Sequence, residues 1–443
     1  MGRDRRCPVL AAVLLLLMVT TAFAGGPRWV AGAPYFSSSV AGNAVVWGTT
    51  NLRYSTDPGD LSVSVNHAAA DALVATAAAS WNVSVSAMVV SQAGVLGEDV
   101  NGSNVFMGAS GPVFPADVQA SNAASIPVAV IYDADGAVTD TLLGGGASDP
   151  GNCRQTAVTE SVDGISSAGK ITHALLVVNG RCTGAAPEMQ KELTYRLVRA
   201  FGRILGVGWS QLNENVFTGT PQPTAAQAMH WPVMHPIDVM CGPYAYQCLP
   251  QPLVLRPDDI ATMVSMYPES GADAGKTYSF QSAAPISGNL TFPNGQGMAG
   301  VNLVEHRFNI SALVMDMFEE TSAVSGYRFQ RQGATPVAAK GTSVEGSQGY
   351  LYNPYEGRYD LPWIPLEQTW YENVYITAEP VNPLYVGQYG VGPYGGLAQV
   401  TPSGSVVNWM TTIGSTRYAA TVNIGVTNAV AACTAAGDGT ETI

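Results

Sequence analysis

Histidine and charge are scarce in this chain. Five of its 443 residues are His and 12% are Asp, Glu, Lys or Arg, with 33 acidic against 20 basic side chains. The resulting net charge of −13 argues against nucleic acid or an anionic membrane as partner, since both are held by clustered cations. Several chemistries lack their minimum equipment. No G-x-S-x-G segment offers a serine elbow. "GGGAS" near Gly144 lacks the lysine of a phosphate loop. No Cys–His arrangement suggests a thiol nucleophile, and the cysteine spacings form no C-x-x-C zinc framework. After the first 24 residues no apolar run reaches the ~20 residues that span a bilayer, and no internal repeat of fixed period occurs. Glycine (48) and proline (28) are plentiful, so turns and strands should dominate outside a few helices. At ~150 residues per domain the length suggests two or three domains.

The amino terminus has the composition of a signal peptide, residues 1–24. Arg3, Arg5 and Arg6 precede the apolar core "VLAAVLLLLMV", and "AFA" places small residues before a cleavage point after Ala24. An uncleaved anchor is the alternative, but the apolar run is short for one. Cys7 lies before the core, which rules out a lipoprotein reading. Loss of three arginines and Asp4 from 20 basic and 33 acidic residues leaves 17 and 32, a net −15. The expectation is a secreted or cell-surface protein whose cysteines are oxidised. Local pairing then joins Cys153 to Cys182 and Cys241 to Cys248. Cys433 is left either as a free thiol or with a partner beyond Ile443.

Periodicity locates the main elements. "NHAAADALVATAAASWNV" predicts a helix over 67–82 with Asn66 as N-cap. "SIPVAVIYDADG" and "ITHALLVVNG" read as buried strands. A helix starts near Pro187, where Met189, Leu193, Leu197, Phe201 and Ile204 recur on one apolar face, and Gly206 is placed to stop it. "RPDDIATMVSMYP" predicts a further helix with Asp258 and Asp259 at its positive end. A change of texture marks a boundary, with 269–284 as linker. Residues 285–383 alternate apolar and polar, and "ISGNLTFPNGQGMAGVNLVEHRF" reads as a hairpin around "PNGQG". Residues 384–443 are a β-rich tail, read as the start of another module.

One stretch carries the functional argument. "RAFGRILGVGWS", residues 199–210, has the spacing of the zinc-protease motif HExxHxxGxxH, and its glycine stands at Gly206. An earlier helix ending in Trp81, two strands before the motif, "PVMHP" around Met234 and the 256–268 helix follow the same order. On these features residues 25–268 resemble a matrixin-type metallopeptidase domain of the metzincin group, with "PVMHP" similar to its Met-turn. "ISGNLTFPNGQGMAGVNL" and "GRYDLPWIP" resemble a carboxypeptidase regulatory-like β-sandwich. The resemblance implies an α+β fold: a metzincin-like domain of mixed sheet and three helices, followed by a β-sandwich.

It also implies a zinc ion held by three histidines with a glutamate as general base, and none of these is present. Arg199 stands at the first ligand position, Ala200 at the base, Arg203 at the second ligand and Trp209 at the third. Arginine offers donors only and stays protonated. A dication ~5 Å from one guanidinium is repelled by about 3 to 7 kcal/mol at an effective dielectric near 20. The site residues therefore read as catalytic none, zinc absent. A relocated metal would have to use His230 and His235 with His173 or Asp238, the other histidines being His67 and His306.

Arg196, Arg199 and Arg203 form a stripe at i, i+3 and i+7. They either pair with Glu192, Asp258 or Asp259, or with Trp209 line a cleft for an acidic or carbohydrate ligand. Structural calcium has two candidate loops: Asp133, Asp135 and Asp140, and Asp99 with Asn101. Asn82, Asn101, Asn289 and Asn309 lie in N-glycosylation triplets. The reading is a secreted matrixin-like pseudopeptidase with a binding or structural role toward an extracellular protein or glycan. The alternative is a secreted zinc metalloendopeptidase with an altered or relocated metal site.

Overall fold

A computed structural model of the chain describes residues 27–29, 31, 36–40, 43–109, 111–210, 231–235 and 253–268, together with strands between 283 and 429. Residues 1–24 and 269–282, "PNGQG", His230, Asp238, Cys241, Cys248 and Cys433 lie outside the described residues, and the last two positions of the expected 269–284 linker belong instead to a strand.

The first region is built on a mixed sheet. Its strands are β1 (Val46–Trp47), β2 (Asn51–Thr56) and β3 (Val89–Val95); β4 (Phe106–Gly108) and β5 (Gly111–Val113) form a separate hairpin; then come β6 (Val128–Asp133), β7 (Val158–Ile165) and β8 (Lys170–Asn179). The order is β1–β8–β6–β2–β3, all parallel, with β7 antiparallel to β8. β6 is buried at every position, as expected of a parallel strand covered on both faces. Along β8 the faces alternate: Leu176 and Val178 join the core beneath the long helices, while Leu175 and Val177 join a second cluster with Phe114 and Val138.

The helices are α1 (His67–Ala79), α2 (Ala137–Leu143), α3 (Cys153–Thr156), α4 (Pro187–Ile204) and α5 (Pro257–Met266). Asn66 Oδ1 caps α1 by accepting the Ala69 N–H at 3.0 Å. α1 ends at Ala79, short of the expected 82, because Trp81 turns inward. Its indole N–H reaches Val198 O of α4 at 2.8 Å, and the ring is fully buried. The Cys153–Cys182 disulfide forms, tying α3 to the segment before α4.

α4 departs from a simple amphipathic helix. Every residue from Tyr195 to Ile204 is buried, the three arginines included. Gly206 ends it at φ +88°, and a Cβ there would sit 2.9 Å from Val45 O. Gly202 has a different reason. A Cβ at 202 would lie 2.4 Å from Trp81 Cζ2 and 2.6 Å from Met234 Sδ, so the missing side chain lets α1 and the 231–235 segment meet on α4.

Beyond residue 283 the described residues form two sheets. β9 (Ala283–Thr291), β10 (Val301–Asn309), β11 (Val314–Val324), β12 (Arg358–Pro365), β13 (Tyr371–Pro380), β14 (Val400–Ser403), β15 (Val406–Met410), β16 (Ala420–Thr421) and β17 (Ile424–Ala429) order as β11–β10–β13–β15 and β12–β9–β17–β14, with β16 beside β9. The expected 286–308 hairpin is not formed: β9 and β10 pair in different sheets, each burying one apolar side, through Ile286 and Leu290 in one and Leu303 in the other. Strands from the tail pair with β13 and β9.

Replacing Gly202 by Ala should overpack this junction and cost about 1 to 3 kcal/mol. Urea denaturation followed by tryptophan fluorescence measures it. Gly94→Ala, where a Cβ meets nothing within 4 Å, should change stability by less than about 0.5 kcal/mol.

Candidate functional site

The site is assembled on α4 and closed by a short turn. Arg196, Arg199 and Arg203 leave one side of the helix, and each is at most 8% exposed. Arg196 pairs with Glu192 one turn earlier at 2.5 Å. Arg203 donates to Val207 O at 3.0 Å, and its Nε lies 3.7 Å from Glu160 Oε1 on β7. The same carboxylate takes Arg28 at 3.3 Å. Trp209 receives both of the deeper guanidinium groups, Arg203 at 4.3 Å and Arg199 at 4.7 Å from the ring centroid.

Arg199 does something else as well. Its Nη1 donates to Tyr195 Oη at 3.0 Å, to Val233 O at 2.8 Å and to His235 O. Those carbonyls belong to the turn 232–235, closed by the His235 N–H on Pro232 O at 3.1 Å. Asp259 takes the other side of the turn, accepting the N–H groups of Val233 at 2.9 Å and Met234 at 3.0 Å. Ser210 N–H covers the remaining carbonyl, Met234 O, at 2.9 Å. Every carbonyl from Pro232 to His235 and every amide from Val233 to His235 thus has a partner, as a buried turn requires. The turn is held between the Arg199 guanidinium from α4 and the Asp259 carboxyl from α5, with Met234 pressed on Gly202 between them.

The expected pairing of the stripe is therefore only partly what forms. Glu192 serves Arg196. Burial raises the Asp259 carboxyl above its ordinary pKa, opposed by the backbone amides its oxygens accept from and, less strongly, by the Arg199 charge. Asp258 faces away, accepting the Ser322 N–H at 2.7 Å and hydroxyl at 2.9 Å, with Ser210 as a further donor. Glu160 was not singled out from the sequence. It stands opposite Leu176 in the β7–β8 register, hence on the α4 face, and only that antiparallel pairing reveals it.

These residues do not fit a zinc ion. The two helix positions one turn apart hold guanidinium groups with no lone pair to donate. The first is already committed to two carbonyl oxygens, and Ala200 has no group to move a proton.

No family model, curated protein or solved structure matches the chain.

The remaining candidates are dispersed. His173 is fully buried on β8, and its Nδ1 lies 2.5 Å from Asp163 Oδ1. His235 stacks on Trp231 with ring centroids 4.9 Å apart. His67 Nε2 lies 3.5 Å from Asp71 at the start of α1, and His306 is on β10. Among the described residues no three His, Cys, Asp or Glu side chains group to hold a metal. The acidic turn considered for calcium is occupied by its own backbone. Asp133 accepts the N–H groups of Val138 and Thr139 at 3.0 and 2.7 Å, Asp135 that of Ala137 at 3.0 Å, and Asp140 that of Ser148 at 2.7 Å. Asp133 and Asp135 thereby cap α2. Asn101 Nδ2 donates to Asp99 at 3.1 Å. Asp99 in turn contacts Asp57, a buried carboxyl that accepts the N–H groups of Gly59 and Val100 at 2.9 and 3.1 Å.

Burial pushes the carboxyl pKa values of both Asp57 and Asp258 up to about 7. In the unfolded chain these groups lose their protons near 3.8, so the folded state binds more protons between about pH 4 and 7. Their contribution is complete below the unfolded value and is lost as pH rises through 7. Two such groups should raise stability by about 5 kcal/mol from pH 7.5 to pH 5 in urea titrations, and Asp258→Asn should remove about half of that rise. A second outcome follows from the turn. Arg199→Met leaves two buried carbonyls without their donor and should cost about 2 to 4 kcal/mol by the same titration.

Proposed function

We propose that this protein is a secreted, matrixin-like pseudopeptidase whose former catalytic helix has become a structural clamp. Its role is then binding or architecture toward an extracellular protein or glycan. The observation that carries this reading is the Arg199 clamp. At the position where the motif needs a neutral metal ligand, the chain places a permanent cation and uses it to satisfy the carbonyls of the turn around Met234.

The surrounding features support the family reading that the motif suggested. A mixed sheet with one antiparallel strand lies under α1 and α4. Met234 sits in a tight turn against α4, and α5 follows and holds that turn. Export rests on the amino-terminal composition, and among the described residues no helix is long and apolar enough to cross a membrane. An extracellular setting also agrees with the Cys153–Cys182 disulfide. The buried state of Arg199 and Arg203 makes the stripe itself a poor grip for a large anion. Ligand recognition is better sought elsewhere on the surface.

Purified protein should contain no stoichiometric zinc by mass spectrometry and should leave an unfolded protein substrate uncut, with or without added zinc. Zinc together with chelator-sensitive cleavage would overturn the proposal and establish a metallopeptidase with a relocated site.

A further inference from the structure

The sheet face opposite α4 carries a cavity of about 270 Å³. Its walls are apolar, formed by Phe114 after β5, Leu142 of α2 and Leu175 and Val177 of β8. A smaller apolar cavity of about 150 Å³ holds a benzene ring, so this one has room for an aromatic or branched aliphatic body and a short polar arm. The polar side is supplied by one strand. Thr159, Ser161 and Asp163 stand at alternate positions of β7 and all line the cavity.

The chemistry of that row is selective. Asp163 is the only charged residue among those lining the cavity, and no Lys or Arg accompanies it. One oxygen of Asp163 is held by His173 Nδ1 at 2.5 Å, which fixes the carboxylate in place. The described residues give its second oxygen no hydrogen bond. Thr159 Oγ1 is buried, and among the described residues it too has no hydrogen-bond partner. The mouth is apolar as well: Val113, itself part of the lining, is 36% exposed, and Phe106 and Met107 on the same hairpin are 58% and 55% exposed.

We infer that this cavity is a binding site for a small amphiphilic amine. Its apolar body lies between Phe114, Leu142, Leu175 and Val177, and its protonated nitrogen is directed to Asp163 beside Ser161. An anionic ligand is disfavoured because the lining offers a carboxylate and no cation. The inference is independent of the pseudopeptidase reading, since the cavity shares no residue with the arginine site.

The test uses isothermal titration of the full chain with three ligands of one shape: 2-phenylethylamine, 2-phenylethanol and 3-phenylpropionate. The amine should bind saturably, the alcohol about tenfold more weakly or less, and the carboxylate not at all in the same range. Asp163→Asn should reduce amine affinity by about tenfold or more while leaving the alcohol within about twofold. Ala120→Phe, which fills the cavity from its rim without touching the Asp163–His173 pair, should abolish binding of both at an unchanged melting temperature. The Ala120 variant keeps the test decisive if Asp163→Asn fails to fold. Absence of saturable amine binding up to millimolar concentration, equal binding of amine and carboxylate, or amine affinity retained in Ala120→Phe would each overturn the inference.

Discussion

The first region depends on how one buried guanidinium is neutralised. Arg199 sits 8% exposed within α4, the longest helix among the described residues, where an isolated cation would be very costly. It is tolerated because backbone carbonyls, the Tyr195 hydroxyl and the Trp209 ring surround it. The same contacts define the shape of the 232–235 turn, the placing of Met234 and the seat of α5. Removing the cation would therefore unsettle α4, the turn and α5 together. This is a stabilising role that neutral histidine could not take in the same way, because an imidazole offers fewer donors in a smaller fan.

A second constraint is steric. Gly202 has no functional group and was passed over as an interior residue of the motif. Yet Trp81 and Met234 both come within 3 Å of where its Cβ would be. Residues 199–210 hold none of the groups that a zinc site would need, while Gly202 and Gly206 make close contacts that any larger residue would obstruct.

How much of this was legible in the sequence varies with the range of the interaction. The α1 N-cap at Asn66, the stop at Gly206 and the Cys153–Cys182 bridge are local or compositional and were read from residue types. Glu160 as partner of Arg203 was not, because its face depends on an antiparallel pairing with β8 that no short segment announces. Asp258 and Asp259 looked equivalent as helix-start carboxylates. Tertiary placement separates them, one to Ser322 and the other to the Met234 turn. The segment 286–308 looked like a hairpin because its two strands flank a glycine-rich turn, but alternation cannot distinguish a hairpin from a crossover between two sheets. The acidic turn at 133–140 looked like a cation loop, and its oxygens are instead directed at the amides that open α2 and the loop beyond it.

β7 places its two carboxylates on opposite sides of the sheet, Glu160 toward the arginines and Asp163 toward the cavity. Their separation by three positions makes this a matter of parity, and the register of β7 is irregular between Ser161 and Gly164. A slip of one residue would carry each carboxylate to the other face. Arg28 and Arg203 would then lose their shared counter-ion, and His173 would lose the acceptor on its Nδ1. The electrical balance of both faces is thus written in the alignment of a single eight-residue strand.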